Sequence, residues 1–299
     1  MSEYGLEIIE KRLKEKLVNE LTRTGLLFRI FSRVKEQTSI DEKFTRKNYS
    51  SETGLMQDLI GFRITTYFSD DVKIVVDLCE KLFKKVELVY DEPSSEVFKP
   101  LRKNMICRMP DNETDIFTEL KPNNPQYNLI DNTFEIQFRT TLSEGWHEVD
   151  HLMRYKCKHD WEPLTTEGRM LNGIYATLET NDQVLKALFD DISYQHYIAK
   201  KWEAMLRNKL RLRFLHIGLD KEVNEYLNSN AEVGKKIFKL NRNKILKTYI
   251  DSTLAFPVTF DNWIYFINHC FLKDDFITKK TQTILKDEFE LAFIRHENA

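Results

Sequence analysis

Nine consecutive residues, Asn132 to Thr140 (NTFEIQFRT), constrain the fold more than any other stretch of this 299-residue chain. Phe134, Ile136 and Phe138 alternate with Glu135, Gln137 and Arg139. Period two puts the three apolar side chains on one sheet face and the carboxylate, amide and guanidinium together on the other. A helix, Leu142 to Lys156, follows directly. The polar face is either an ion-paired ladder of an exposed sheet or the floor of a site.

The rest of the chain supplies the partners of that strand. Leu6, Ile9, Leu13, Leu17, Leu21 and Leu27 recur at helical spacing, so residues 3–29 read as an opening amphipathic helix. A short basic helix starts at Ser39 and runs to about Arg46. Strands are expected at Gly61–Phe68, Val86–Tyr90 and Asn104–Met109, with a helix over VKIVVDLCEKLF between the first two. Pro110 to Gln126, with three prolines and several Asn and Asp, reads as a loop. Residues 167–214 and 216–299 read as helical, with a break at Phe256-Pro257. The expected class is α+β: a mixed sheet flanked by helices, with an all-helical C-terminal extension. The expected division is 1–215 and 216–299.

Composition excludes some partners and names none. The net charge is −2 with 31% charged residues, and 41% of the chain is hydrophobic. There is no stretch of about 18 apolar residues to span a bilayer and no apolar leader. The four cysteines, Cys79, Cys107, Cys157 and Cys270, are widely spaced, as expected of a cytoplasmic protein with structural thiols.

Within the helix after the strand, His147, Glu148 and His151 form HEVDH, a formal match to the H-E-x-x-H helix of zinc peptidases. Two histidines four apart could face one ion with Glu148 as base, and Cys157 or His159 could complete the set. The pattern is short, and Asp150 stands where such peptidases usually place an apolar residue. A polar helix face, lining something anionic or paired with Arg154 and Lys156, is the simpler reading.

Three ordered blocks carry a stronger signal. SRVKEQTSIDEKFTRK (32–47), DLIGFRI (58–64) and FEIQFRTTLSEGWHEVDHLMRYK (134–156) together resemble the RelA/SpoT-type alarmone synthetase domain. The resemblance implies a fold related to nucleotidyltransferases. It also implies transfer of the β,γ-diphosphate of ATP to the ribose 3′-hydroxyl of GTP or GDP, with Mg²⁺ as cofactor. By resemblance, Asp58 is a Mg²⁺ ligand, and Glu135 either shares the metal or accepts the proton of the attacking hydroxyl. Arg33, Lys35, Lys43, Arg46 and Lys47 would meet the ATP phosphates, with Ser39 as a hydroxyl donor. Arg63 and Arg139 are candidates for phosphate binding or adenine stacking, Gln137 shares the face of Glu135, and Gly61 would let the backbone turn closely into its strand. His151, Tyr155 and Lys156 match family positions, so the H-E-x-x-H register is an accident of that match.

One block departs from the family. The acceptor loop of such synthetases reads K-P-x-G-Y-x-S-x-H, whereas Lys99-Pro100 is followed by LRKNMICRMP. Lys99 to Arg108 is the expected equivalent, with Arg102, Lys103 and Arg108 in place of the aromatic platform. That change leaves the acceptor open: GTP or GDP, an adenine nucleotide, or tRNA. A nucleotide-binding module without turnover is a further alternative. No membrane partner is expected, and a homo-oligomer is compatible with the helical extension.

Overall fold

In the computed structural model, residues 2–47, 49–50 and 54–297 are described. In chain order the elements begin with α1 (Ser2–Thr24), β1 (Phe28–Val34), α2 (Gln37–Lys47), β2 (Ile60–Thr66), α3 (Asp71–Leu82), β3 (Lys85–Tyr90) and β4 (Lys103–Arg108). Then come α4 (Asp111–Leu120), β5 (Thr133–Thr140), α5 (Thr141–Val149), α6 (Lys158–Trp161) and α7 (Thr165–Ile198). The remainder is helical: α8 (Trp202–Leu210), α9 (Lys221–Ser229), α10 (Ala231–Lys239), α11 (Arg242–Asp251), α12 (Phe260–Ile267), α13 (Asp275–Lys280) and α14 (Thr283–Glu297). The class is α+β, a mixed sheet flanked by helices with a helical C-terminal region, as the sequence implies.

The chain divides into two compact units, residues 1–19 with 28–183, and residues 20–27 with 184–299. The expected division after residue 215 therefore falls inside the second unit. The reason is local: Trp202, Met205, Leu206 and Leu210 on α8 are buried, Lys209 donates to the Phe238 and Leu240 carbonyls, and Trp202 Nε1 donates to Asn228. The segment before residue 215 is thus core to the helices that follow it.

The first unit holds a five-stranded sheet in the order β1-β2-β5-β4-β3. β2 and β5 pair in parallel, and the other neighbours are antiparallel. Phe134, Ile136 and Phe138 are buried as their alternation requires, joined on the same face by Phe62, Ile64, Met105 and Cys107. Helix α3 presents Val72, Val75, Val76 and Cys79 as its buried stripe. Phe134 meets Phe62 and Phe83 edge-on, at 5.6 and 5.0 Å between ring centroids.

Two elements differ from expectation. The opening helix stops at Thr24, and Phe28 to Val34 is the edge strand β1. An edge strand with exposed residues on one face and only half-buried ones on the other gives a weak strand signal, and here Phe31 is exposed. The stretch read as a loop contains α4. Pro110 stands just before its first residue, Asp111 and Glu113 suit the positive helix start, and Phe117 is fully buried.

The second unit is all helical, with Trp202, Tyr249, Trp263, Phe260, Phe266 and Phe289 fully buried. The expected break at Phe256-Pro257 lies between α11 and α12. Thr259 ends the break as N-cap of α12, its hydroxyl accepting from the Asn262 N–H.

Candidate active site

The polar face of β5 is the floor of a cleft of about 970 Å³ in the first unit. Strand pairing assembles it. Glu135 lies opposite Gly61 and Ile106, Gln137 opposite Arg63 and Asn104, and Arg139 opposite Thr65. Gly61 in turn lies opposite Arg33, and Arg63 opposite Phe31. Helix α5 and the turn after it form one wall through Glu144, His147, Glu148, His151 and Tyr155. Residues Pro100 to Arg102 contribute from the loop before β4.

Each charged group at the floor is already satisfied in part. Asp58 Oδ2 accepts from Lys35 Nζ at 3.0 Å and Oδ1 from Lys43 Nζ at 2.6 Å. Burial alone would raise the Asp58 carboxyl, but Lys43 and Lys35 outweigh it and hold it below the usual carboxylate range. Burial pulls Lys35 down more than Asp58 pulls it up, with Lys43 and Arg33 adding repulsion. Glu135 accepts from Asn104 Nδ2 at 3.0 Å and from Gln137 Nε2 at 2.9 Å. Gln137 Oε1 accepts from Arg63 Nε at 3.3 Å.

Arg63 also donates to Glu144 at 2.6 Å and to Glu148. Burial would lower its affinity for the proton, and the two glutamates more than offset that. Arg139 is the opposite case. Burial and Arg63 both work against its charge, and its Nε–H has no acceptor among the described residues. It is a cation held at the cleft with donor capacity left over.

Of the residues named from sequence, Arg33, Lys35, Asp58, Arg63, Glu135, Gln137, Arg139, His151, Tyr155 and Lys156 all line this one cleft. Lys43 joins them through Asp58. Ser39, Arg46 and Lys47 are exposed on α2 and are not among the lining residues. Gly61 is extended within β2 rather than at a turn, and a Cβ there would meet nothing within 4 Å. Its effect is to keep the floor beside Glu135 low.

The basic loop is only partly in place. Arg102 reaches the cleft. Lys103 sits at the start of β4 with the parity of buried Met105 and Cys107, and lines a smaller adjoining cavity of about 80 Å³. Arg108 is at the far end of β4, donating to Asn132 Oδ1 at 2.9 Å. Phe98, which no sequence motif singles out, is 55% exposed two residues before Pro100 and supplies an aromatic ring to this loop. Glu144 and Glu148 were also missed as partners of Arg63; their i, i+4 spacing on the helix after β5 was the available signal.

The zinc reading fails on geometry. The α-helix ends at Val149, and Asp150 to Tyr155 forms a π-turn. His147 and His151 therefore do not share the regular α-helical turn that the zinc pattern needs. No group of three or more His, Cys, Asp or Glu able to hold a metal occurs among the described residues. Burial, then Arg139 and Arg63, push the His147 imidazole down from 6.5 to about 3.

The unfolded chain therefore binds a proton between these values where the folded chain does not. Stability should fall as pH drops from about 6.5 toward 4. Asp58 acts only lower, below the usual 3.8. Urea melts at pH 7.5 and 5.0 should show this loss, and His147→Gln should remove most of it. An unchanged pH difference in that variant would rule His147 out as its source.

Fold and cleft together define an α+β domain whose wet sheet face gathers carboxylates and cations in one cavity. Residues 32–160, less than half of the chain, match the family model described as the region found in RelA / SpoT proteins. No curated protein matches the chain. Among solved structures, small alarmone synthetase 1 from Bacillus subtilis is 21% identical, covering 62% of this chain and 91% of its own, with a TM-score of 0.47. Small alarmone synthetase 2 from the same organism is 20% identical, covering 62% and 93%, at 0.45. A GTP pyrophosphokinase family protein from Streptococcus pneumoniae is 19% identical, covering 63% and 90%, at 0.42. No helix among the described residues is long and apolar enough to cross a membrane.

Proposed function

We propose that this chain moves the β,γ-diphosphate of ATP to a ribose 3′-hydroxyl of a nucleotide acceptor and releases AMP. The observation that carries the reading is the convergence in one cleft of two carboxylates, Asp58 and Glu135, with Arg33, Lys35, Arg63 and Arg139. Phosphoryl transfer asks a protein chiefly to position its reactants and to stabilise charge on phosphate oxygens. Cations beside carboxylates in one cavity do both.

Glu135 would accept the proton of the 3′-hydroxyl as its oxygen attacks the β-phosphorus of ATP, and the bond from that phosphorus to the AMP oxygen breaks. Asn104 and Gln137 hold the Glu135 carboxylate in place. Lys35 and Lys43, now on Asp58, are the groups that would turn to the transferring phosphates. The donor set fits Mg²⁺: two hard carboxylate oxygens are the usual protein share of an ion that is otherwise bound by water and phosphates. Asp58 and Glu135 would hold it, and it would supply charge neutralisation on the phosphate oxygens.

The test is AMP release from labelled ATP with Mg²⁺, offering GTP, GDP, GMP, ATP and bulk tRNA as acceptors. Release that depends on any one of these supports a diphosphate transferase and identifies the acceptor class. Silence with all of them, with nucleotide binding intact, would replace this reading by that of a nucleotide-binding module.

A further inference from the structure

The loop between β3 and β4 is held down at few points. At its base the Asp91 N–H donates to the Arg102 carbonyl at 2.9 Å, and the Arg102 N–H returns to Asp91 Oδ2 at 3.0 Å. Inside it, the Glu96 N–H reaches Ser94 Oγ. Among the described residues, the other hydrogen bond to the body of the unit runs from the Leu101 N–H to the phenol oxygen of Tyr175 on α7, at 3.2 Å. Packing acts at the same point, since Leu101 is itself 9% exposed. The cavity of about 80 Å³ lies beside it, lined by Pro93 and Leu101 from the loop and by Tyr175 and Glu179 from α7.

Tyr175 itself is firmly placed. It is 4% exposed, its ring lies 4.8 Å from Trp146, and Glu179 bonds its hydroxyl. Trp146 is fixed in turn by its Nε1–H on the Leu171 carbonyl at 2.8 Å. The rigid partner is therefore the phenol, and the adjustable one is the loop. Next to Leu101, Pro100 and Arg102 line the cleft, and exposed Val97 and Phe98 stand just before them.

We infer that Tyr175 is a positioning residue: its phenol oxygen latches Leu101 and so sets how the loop from Val97 to Arg102 meets the acceptor in the cleft. Among the described residues, the tie makes no hydrogen bond to Lys35, Lys43 or Asp58, the groups proposed to meet the ATP phosphates and metal. The inference rests on the diphosphate-transfer reading for its kinetic consequence, and on the hydrogen bond alone for its structural one.

Tyr175→Phe keeps the ring on Trp146 and removes both the acceptor of the Leu101 N–H and the hydroxyl's bond to Glu179. A single such bond is worth about tenfold in an equilibrium constant. In this variant, exchange of the Leu101 amide should speed up about tenfold while β2 and β5 are unchanged. The KM for the acceptor should rise several-fold and the KM for ATP should stay within twofold. Unchanged exchange at Leu101 would overturn the latch. So would an equal rise of both KM values, which a general loosening of the site would give. If the wild-type protein releases no AMP with any acceptor, the proposed function fails, and Leu101 exchange alone then decides for or against the latch.

Discussion

Glu135→Gln is expected to lower AMP release by about 10³-fold, within the range for loss of a positioned general base, and to leave the fold nearly as stable. The two halves of this expectation have separate causes. In the proposed reaction the carboxylate would accept the proton and serve as a hard oxygen ligand, and an amide does neither at neutral pH. The structural cost is small because the surroundings can adapt. Glu135 accepts from Asn104 and Gln137, so an amide in its place would set one NH₂ against another. Asn104 Oδ1 is buried with no partner among the described residues, so rotating that amide lets it accept the new N–H.

Asp58→Asn is a less clean test. It strips the counter-charge from Lys35 and Lys43, both largely buried, and should lower stability as well as rate. Undiminished AMP release in Glu135→Gln would remove the catalytic assignment. A large fall in its unfolding midpoint would show instead that Glu135 is chiefly a structural acceptor.

Trp263→Ala is expected to cost about 3–5 kcal/mol of stability, the range for emptying a large buried aromatic site. Trp263 is fully buried, with Tyr249 at 4.9 Å and Phe266 at 5.8 Å between centroids. Rigid rings around the cavity leave little to collapse into it. Trp263→Phe separates two effects that the alanine variant combines. It shrinks the ring, but it also removes an indole N–H that finds no acceptor among the described residues. An unpaired buried donor costs about 1–3 kcal/mol, so the phenylalanine variant should lose about 1 kcal/mol or less. Urea melts of the two variants decide it. Equal losses would mean that the indole N–H is satisfied in solution.

The strands that bury one face were legible because burial writes period two into the sequence. Phe134, Ile136 and Phe138 gave β5 its position and its inside face, and with that the outside placement of Glu135, Gln137 and Arg139. β1 was not legible. As an edge strand it carries Arg29, Phe31 and Arg33 on the cleft face and only half-buried residues on the other. Helix α4 was hidden by Pro110 and the Asp and Asn residues that begin it, which serve equally as loop residues and as a helix start.

The chain order alone determined which residue types could do the chemistry and which face of β5 would offer them, because side-chain alternation is a local property of an extended backbone. Tertiary structure decided which of them meet. The parallel register of β2 on β5 brought Gly61 opposite Glu135 and Asp58 to the same end of the pair, a relation between residues more than seventy positions apart. It also gave Asp58 its two lysines, gave Arg63 its two glutamates, and sent Lys103 and Arg108 away from the cleft. Those outcomes depend on strand order and register, which local periodicity does not encode.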